Sequence, residues 1–163
     1  MKVFDDATLT VHDRETATLL AALTQLRRGD AGVRLPLHWS GLHGKVAEVF
    51  NDLVEQNATM AEELARLRQV VGKEGKLKQR AFLNEKRGFW GASIDSINAL
   101  IDDLVHPTSE VARVIGAVAQ GDLSKSMALE VEGRELEGEF LRTARTINKM
   151  VEQLGNFSAE VTR

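Results

Sequence analysis

Three glycines divide the sequence into repeats of equal length. Gly29, Gly75 and Gly121 lie 46 residues apart, and each follows a short stretch of periodic apolar residues. Between 22 and 27 residues beyond each glycine comes an asparagine preceded by Phe or Ile. In chain order these pairs are Phe50-Asn51, Ile97-Asn98 and Ile147-Asn148. Because recurrence at a fixed period indicates a repeat architecture, the sequence predicts three copies of one unit: helix, glycine, irregular connector, helix.

The helix after each connector carries an apolar seam whose members are alternately four and three residues apart. Such a 3.5-residue repeat, sustained over several heptads, is typical of left-handed coiled coils. Two seams continue across repeat boundaries, so we expect long helices over roughly 45–72, 89–120 and 134–163. The seam residues predicted to form the core are Phe50, Leu53, Leu64, Trp90, Ile94, Ile97, Ile101, Val111, Val118, Leu136, Phe140, Ile147, Met150 and Leu154.

Pro107 lies inside the second of these helices. A proline in a helix interior costs about 3 kcal/mol because it removes a hydrogen bond and clashes with the preceding turn. We therefore expect the helix to be bent or frayed there, with Thr108 or Ser109 capping a restart.

The connectors, roughly 30–43, 73–88 and 121–134, are too long for the turn of an antiparallel helix hairpin, which uses about 2 to 8 residues. Extended at about 3.3 Å per residue, each can climb a four-turn helix. They therefore favour two parallel helices per repeat, with glycine at the end of the first helix. The predicted connector and helix-end residues are Gly29, Gly75, Gly121, Leu35, Leu37, Leu77, Leu123, Met127 and Glu135.

Two helices with one narrow seam cannot bury that seam by themselves. A homodimer solves this by giving each repeat a parallel four-helix bundle. The predicted fold is therefore all-α, with three such bundles stacked end to end. Asn57 and Thr143 occupy seam positions, where a buried polar residue fixes register at a cost in stability. The alternative is that these polar residues are simply tolerated near the end of a bundle.

These landmarks resemble the HAMP domain, the signal-relay unit of sensor kinases and chemoreceptors. Repeat three carries the resemblance best, with Gly121-Asp122, Glu135-Leu136 and Ile147-Asn148-Lys149-Met150. Repeat one keeps Gly29-Asp30 but has Lys45 where the family usually has an acidic residue. Repeat two departs most, with GKEGKL in place of Gly-Asp.

The resemblance implies an extension over 1–12 and HAMP units over 13–62, 63–108 and 109–163, with helices shared across the boundaries and the middle unit divergent. Such arrays are similar to those of soluble bacterial hybrid histidine kinases. They imply a non-catalytic, dimeric, cytoplasmic module that passes conformational change to a downstream histidine kinase in a two-component phosphorelay. A chemoreceptor-like array and a passive coiled-coil scaffold stay open as alternatives. The seam runs to the last residues, which we interpret as a helix continuing into a further unit.

The composition and the N-terminal sequence argue against several other kinds of site, partner and cellular location. The absence of cysteine excludes disulfides, thiolate metal sites and cysteine nucleophiles. With a net charge of −3 and no basic stripe, nucleic acid is not an expected partner. No apolar run approaches the roughly 20 residues that a membrane span needs, and the acidic start MKVFDDATLTV is unlike a signal peptide.

Motifs for catalysis or cofactor binding do not emerge. None of the four histidines, His12, His38, His43 and His106, lies in the His-Glu-Leu-Arg-Thr-Pro context of a phosphorylated histidine. GKEGKLK lacks the spacing of a phosphate-binding loop. His38 and His43 are five residues apart with no third ligand nearby in sequence, so we expect neither a metal nor a cofactor. The glutamates between Glu130 and Glu139 are expected at the start of the third helix, where the helix dipole favours them.

Overall fold

The structure, a computed structural model, describes residues 10–84, 87–131 and 133–161. It contains the helices α1 (Val11–Arg27), α2 (Gly41–Leu67), α3 (Gly88–Ala119) and α4 (Gly138–Val161), a π-helix over Arg68–Lys73 after α2, and two short strands, β1 (Glu130–Val131) and β2 (Arg134–Glu135), before α4. Helices account for 71% of the described residues, so the prediction of a mostly helical fold is confirmed. No helix among the described residues is long and apolar enough to cross a bilayer.

The chain forms two compact units, Met1–Ile94 and Asp95–Arg163. In the first unit Glu15 near the start of α1 meets His43 near the start of α2. Further along, Ala22 of α1 shares a core with Val54 of α2, so the two helices run parallel. The connector crosses back between them and contributes to the same core. That core consists of Ala22, Val33, Leu35, Ala47, Phe50 and Val54.

In the second unit the C-terminal part of α3 packs beside α4. Asp103 of α3 pairs with Arg134, just before α4, at 3.6 Å. Val114, eleven residues further along α3, shares a core with Ala144 and Val151 of α4, so these two helical segments also run parallel. The buried members of this core are Val114, Met127, Ala144, Ile147 and Val151.

The helix predicted over 45–72 has a different end from the one expected. α2 stops at Leu67 and continues as a π-helix through Lys73. Its last turn is wider than an α-turn, since the N–H of Glu74 donates to the carbonyl of Gln69, five residues back, at 3.0 Å. Sequence periodicity cannot distinguish one such wide turn from an ordinary α-helical turn at the end of a 27-residue helix.

The prediction of a frayed join and a restart at Pro107 is wrong. α3 is one continuous helix from Gly88 to Ala119 with Pro107 buried inside it. Thr108 caps nothing; its hydroxyl donates to the carbonyl of Leu104 at 2.7 Å within the helix. The apolar packing along α3 therefore outweighs the hydrogen bond that proline removes.

The third predicted helix begins later than expected, and the acidic stretch before it is not helical. Glu130 and Glu135 face each other across the antiparallel β1–β2 pair, and Gly133 in the turn has a φ of 76°, as tight hairpins require. Only Glu139 lies in the first turn of α4. Leu136 precedes the helix but still packs against the core of the second unit.

Candidate functional site

The end of α1 shows why a Gly-Asp pair follows the first helix. The N–H of Gly29 donates to the carbonyl of Leu26 at 2.8 Å, and that of Asp30 donates to Gln25 at 3.1 Å. This Schellman arrangement needs a left-handed backbone, and Gly29 has a φ of 90°. The Asp30 carboxylate then accepts from the N–H of Gly32 at 2.8 Å, so the first turn of the connector is fixed as well.

The end of α3 has the same arrangement. The N–H groups of Gly121 and Asp122 donate to the carbonyls of Val118 and Ala117 at 3.0 and 2.9 Å, and Gly121 has a φ of 82°. The Asp122 carboxylate accepts from the hydroxyl and the N–H of Ser124 at 2.6 and 3.0 Å. These bonds, the hydroxyl bond first, lower the pKa of Asp122 below its ordinary value of 3.8.

The third marker glycine, Gly75, ends the π-helix and also has a positive φ, 67°. Here the N–H of Lys76 reaches the carbonyl of Val70, six residues back, at 2.9 Å, because a π-turn holds one residue more than an α-turn. Lys76 replaces the aspartate of the other two helix ends, and its ammonium pairs with Glu74 at 2.7 Å. All three glycines that mark the predicted repeats thus adopt backbone that favours glycine.

Two asparagines clamp the connectors. The side-chain oxygen of Asn51 accepts from the N–H of Leu35 at 2.8 Å, while its amide nitrogen donates to the carbonyl of the same residue at 3.0 Å. Asn148 makes both bonds to Met127, at 2.7 and 3.0 Å. Leu35 and Met127 are buried, so each amide satisfies a backbone that has no strand partner. The recurring Phe/Ile-Asn pair was the sequence signal, yet these asparagines are absent from the predicted site residues.

Two Glu-x-x-Arg pairs also tie a helix to the following connector. Arg66 donates to Glu63 at 2.7 Å, and Arg113 donates to Glu110 at 2.7 Å. Each guanidinium also donates to a connector carbonyl; the acceptors are Arg80 at 2.8 Å and Ser126 at 3.1 Å. The hydrogen bonds from the arginines are the main reason that the pKa of Glu63 and that of Glu110 are lowered.

The apolar residues of α2 form two adjacent rows. Ala47, Phe50 and Val54 are buried against α1 and the connector. The predicted seam, which includes Phe50 and Leu53, lies one position to the side, and Leu53 is 39% exposed. The helix pair within one chain therefore covers a row beside the predicted seam and leaves the outer edge of the seam uncovered.

The same offset occurs in α4. Ala144, Ile147 and Val151 are buried in the core of the second unit, whereas Phe140 and Met150 are each 38% exposed. Ile147 belongs to both rows, as Phe50 does in α2. Sequence periodicity identified the apolar faces but placed their centre one residue away from the row that the chain itself buries.

The predicted site residues fall into three groups by burial. Those that are buried are Phe50, Ile94, Ile147, Leu35 and Met127. Half-buried ones are Trp90, Ile97, Ile101, Val111, Val118, Leu136, Leu77 and Leu123. Exposed ones are Leu53, Leu64, Phe140, Met150, Leu154, Leu37 and Glu135. The expected polar seam residue Asn57 is exposed in the single chain, and its side-chain oxygen lies 3.5 Å from Nε1 of Trp90.

A cluster of possible metal ligands lies where α1 and α2 begin. Oε2 of Glu15 lies 3.2 Å from Nδ1 of His12 and 3.2 Å from Nδ1 of His43. The sequence argument weighed His43 with His38, five residues away, and found no third ligand nearby. The parallel packing of α1 and α2 instead supplies His12 and Glu15, which are distant in sequence.

Comparison with known families identifies one domain in this architecture. Residues 85–156 match the family model of the HAMP domain, a stretch that includes α3, the connector with Asp122 and Met127, and most of α4. No solved structure matches the chain significantly. Over residues 85–156 the chain is therefore similar to the HAMP domain, a signalling module of sensor proteins that commonly dimerises.

Proposed function

We propose that the chain is the relay module of a sensor protein, a parallel homodimer whose helices carry a conformational change from one end to the other. The observation that carries this proposal is the parallel pairing of α3 and α4 within a segment matched to the HAMP domain. A HAMP domain implies signal relay, and parallel helices let a rotation or tilt at one end reach the other. Packed helical interfaces suit this role because they tend to have discrete alternative arrangements.

The two apolar rows support the homodimer. In α4 the row of Ala144 and Val151 is covered within the chain, while Met150 and Leu154 remain 38% and 40% exposed. A helix in a four-helix bundle contacts two neighbours, so it needs two such rows. Because the uncovered row keeps heptad spacing over the length of the helix, we assign it to the second copy of the chain.

We further propose that HAMP-like units extend over 13–62, 63–108 and 109–163. The support is the recurrence of one geometry: Gly29, Gly75 and Gly121 all have positive φ, and the connector residues six positions after each of them are buried. Those residues are Leu35, Ala81 and Met127. Residues 1–9 of the expected extension lie outside the described part of the chain.

The partner that we propose for this module is a histidine kinase further along the same chain, in the cytoplasm. Support comes from the resemblance of alternating regular and divergent units to the arrays of hybrid sensor kinases. The absence of cysteine also suits a reducing compartment. In this proposal the module has no reaction of its own and changes only the arrangement of the helices that enter the kinase.

Cross-linking of single cysteines tests the parallel dimer, since the chain has none of its own. In a parallel homodimer, identical seam positions meet all along the helices; in an antiparallel one, they meet only near the centre. We expect Leu53→Cys and Leu154→Cys each to give a disulfide-linked species of twice 18.0 kDa on mild oxidation. Gln153→Cys, beside the seam and exposed, is the matched control and should cross-link slowly.

A mass of one chain in solution, with neither seam variant cross-linking, would contradict the dimer. Cross-linking at Leu154 alone would contradict the proposal that all units share one parallel arrangement.

Kinase output separates relay from a passive scaffold. The test fuses the chain to a histidine kinase and introduces Ile147→Leu. Ile147 belongs to both rows, and leucine keeps its volume. A switching bundle should therefore change kinase activity without unfolding. A passive scaffold should leave activity unchanged at equal stability, as should the exposed control Lys149→Ala. If the kinase responds to neither variant while the dimer stays intact, the relay proposal fails and the scaffold stands.

A further inference from the structure

Three possible ligands from two helices converge at the open end of the first unit. His12 and Glu15 lie one turn apart at the start of α1, and His43 lies in the first turn of α2. Together they offer ligand atoms that all lie within 4.8 Å of one another. The imidazoles of His12 and His43 are stacked, with ring centres 5.1 Å apart and planes inclined by 17°.

The spacing around Glu15 matches that of a coordinated ion. Two ligands at about 2.0–2.1 Å from a tetrahedral zinc ion lie about 3.3 Å from each other. Both histidine Nδ1 atoms are 3.2 Å from Oε2 of Glu15. The side chain of His12 is 80% exposed, and its ligand atom lies within 4.8 Å of that of His43, so binding an ion would require only a small rotation of an exposed side chain.

The chemistry of the ligands selects the class of ion. Two imidazoles and one carboxylate suit zinc and its neighbours among the divalent transition metals, whereas Mg²⁺ and Ca²⁺ prefer oxygen ligands alone. The side chains of His43 and Glu15 are 23% and 15% exposed, so packing holds these two ligands, while the cluster is open to solvent on the side of His12. Three protein ligands with an open fourth position is a common zinc arrangement.

We propose that His12, Glu15 and His43 bind a divalent transition-metal ion of the zinc class, and that this ion joins the starts of α1 and α2. Bound there, the ion replaces the present pairing of Glu15 with two imidazoles by three metal–ligand bonds. The N-terminal ends of the two parallel helices become one rigid group. If the chain relays helix motion as proposed above, this is the end at which a metal would bias it, although metal binding itself does not depend on that function.

Calorimetric titration of the tag-free 163-residue chain with Zn²⁺ tests the site. We expect about one ion per chain, and an affinity that falls by at least about tenfold in each of His12→Asn, Glu15→Gln and His43→Asn, because each removes one ligand. His38→Asn is the matched control: His38 is a histidine of the same connector region, exposed and outside the cluster. It should bind as the unaltered chain does.

Trp39 provides a second readout. Its ring lies 6.1 Å from that of His43, edge to face, so Co²⁺ bound at the cluster should quench its fluorescence. The quenching should disappear in His43→Asn, and Trp39→Phe should lose the quenching while still binding Zn²⁺. Circular dichroism shows whether each variant remains helical.

The proposal is overturned if Zn²⁺ shows no saturable binding, if any of the three ligand variants binds as tightly as the unaltered chain, or if His38→Asn weakens binding equally. Because neither readout uses dimerisation or kinase output, failure of the metal site is distinguishable from failure of the relay proposal.

Discussion

Single side chains take the place of secondary structure in the connectors. Asn51 and Asn148 each bond both the N–H and the carbonyl of one connector residue, so a segment without strand partners still has its backbone satisfied. At the helix ends, Asp30 and Asp122 perform a similar task for the N–H two residues ahead. The Gly-Asp and Phe/Ile-Asn signatures are thus conformational devices that fix how the chain leaves one helix and crosses to the next.

Asn148→Ala tests the clamp. It leaves the N–H and carbonyl of the buried Met127 without their present partners, so we expect the free energy of unfolding to fall by about 1–3 kcal/mol. Lys149→Ala, at the neighbouring exposed position, should change it by less than about 0.5 kcal/mol. Denaturant unfolding measures both, and equal stability of the two variants would mean that the clamp contributes nothing.

Two glycines of the same unit should respond to alanine with opposite signs. Gly121 has a φ of 82°, so Gly121→Ala should destabilise by about 1–2 kcal/mol even though the added methyl group meets open space. Gly116 lies inside α3, also with open space around it, and Gly116→Ala should stabilise by about 0.5–1 kcal/mol. Thermal unfolding gives both signs; a stabilising Gly121→Ala would contradict the helix-end geometry.

At the scale of elements, periodicity located the helices well and their ends poorly. The 3.5-residue pattern predicted 89–120, and α3 spans Gly88–Ala119. The third helix was expected from residue 134, but Arg134 and Glu135 belong to the β1–β2 hairpin and α4 begins at Gly138, because apolar spacing says nothing about the turn that Gly133 makes. Apolar spacing likewise identified the faces of α2 and α4 but could not say which of two adjacent rows the chain buries by itself, since that depends on the crossing of the helices.

The connection between α2 and its connector should depend on pH through Glu63. Its carboxylate accepts from Arg66 at 2.7 Å and from the N–H of Phe82 at 2.8 Å, and the bond from Arg66 is the main reason that its pKa lies below the ordinary value of 4.5. A carboxyl group whose pKa is lowered by folding stabilises the folded state above its unfolded pKa. That stabilisation is lost as the pH falls below about 4.5 and through the lowered folded value.

We therefore expect Glu63→Gln to be less stable than the unaltered chain by about 1 kcal/mol near neutral pH, with the difference shrinking in acid. Glu62→Gln, at the adjacent exposed position, serves as the control and should change the free energy of unfolding near neutral pH by less than about 0.5 kcal/mol. Urea unfolding of the three proteins across this pH range measures the effect. A difference that grows on acidification would reverse the sign of the linkage and exclude the assigned pairing.

At the scale of the whole molecule, the sequence predicted a dimer, which the structure of a single chain does not contain. Heptad spacing predicted that a narrow seam needs a second copy, and the exposed edge of that seam is visible in Leu53, Leu64 and Leu154. The metal-ligand cluster, by contrast, could not be predicted from the sequence. His12 and His43 are 31 residues apart, and only the parallel packing of α1 with α2 brings them together.

Dimerisation through the exposed row should make thermal stability depend on concentration, since a folded dimer and an unfolded monomer are linked by mass action. We expect the Tm to rise as the chain is concentrated. Met150→Gln should weaken this dependence, because it places an amide in the row assigned to the partner while leaving the buried Val151 in place. Lys149→Gln makes the same side chain at an exposed neighbouring position and should keep the full dependence. A Tm that is independent of concentration in the unaltered chain would leave the exposed row without its proposed occupant.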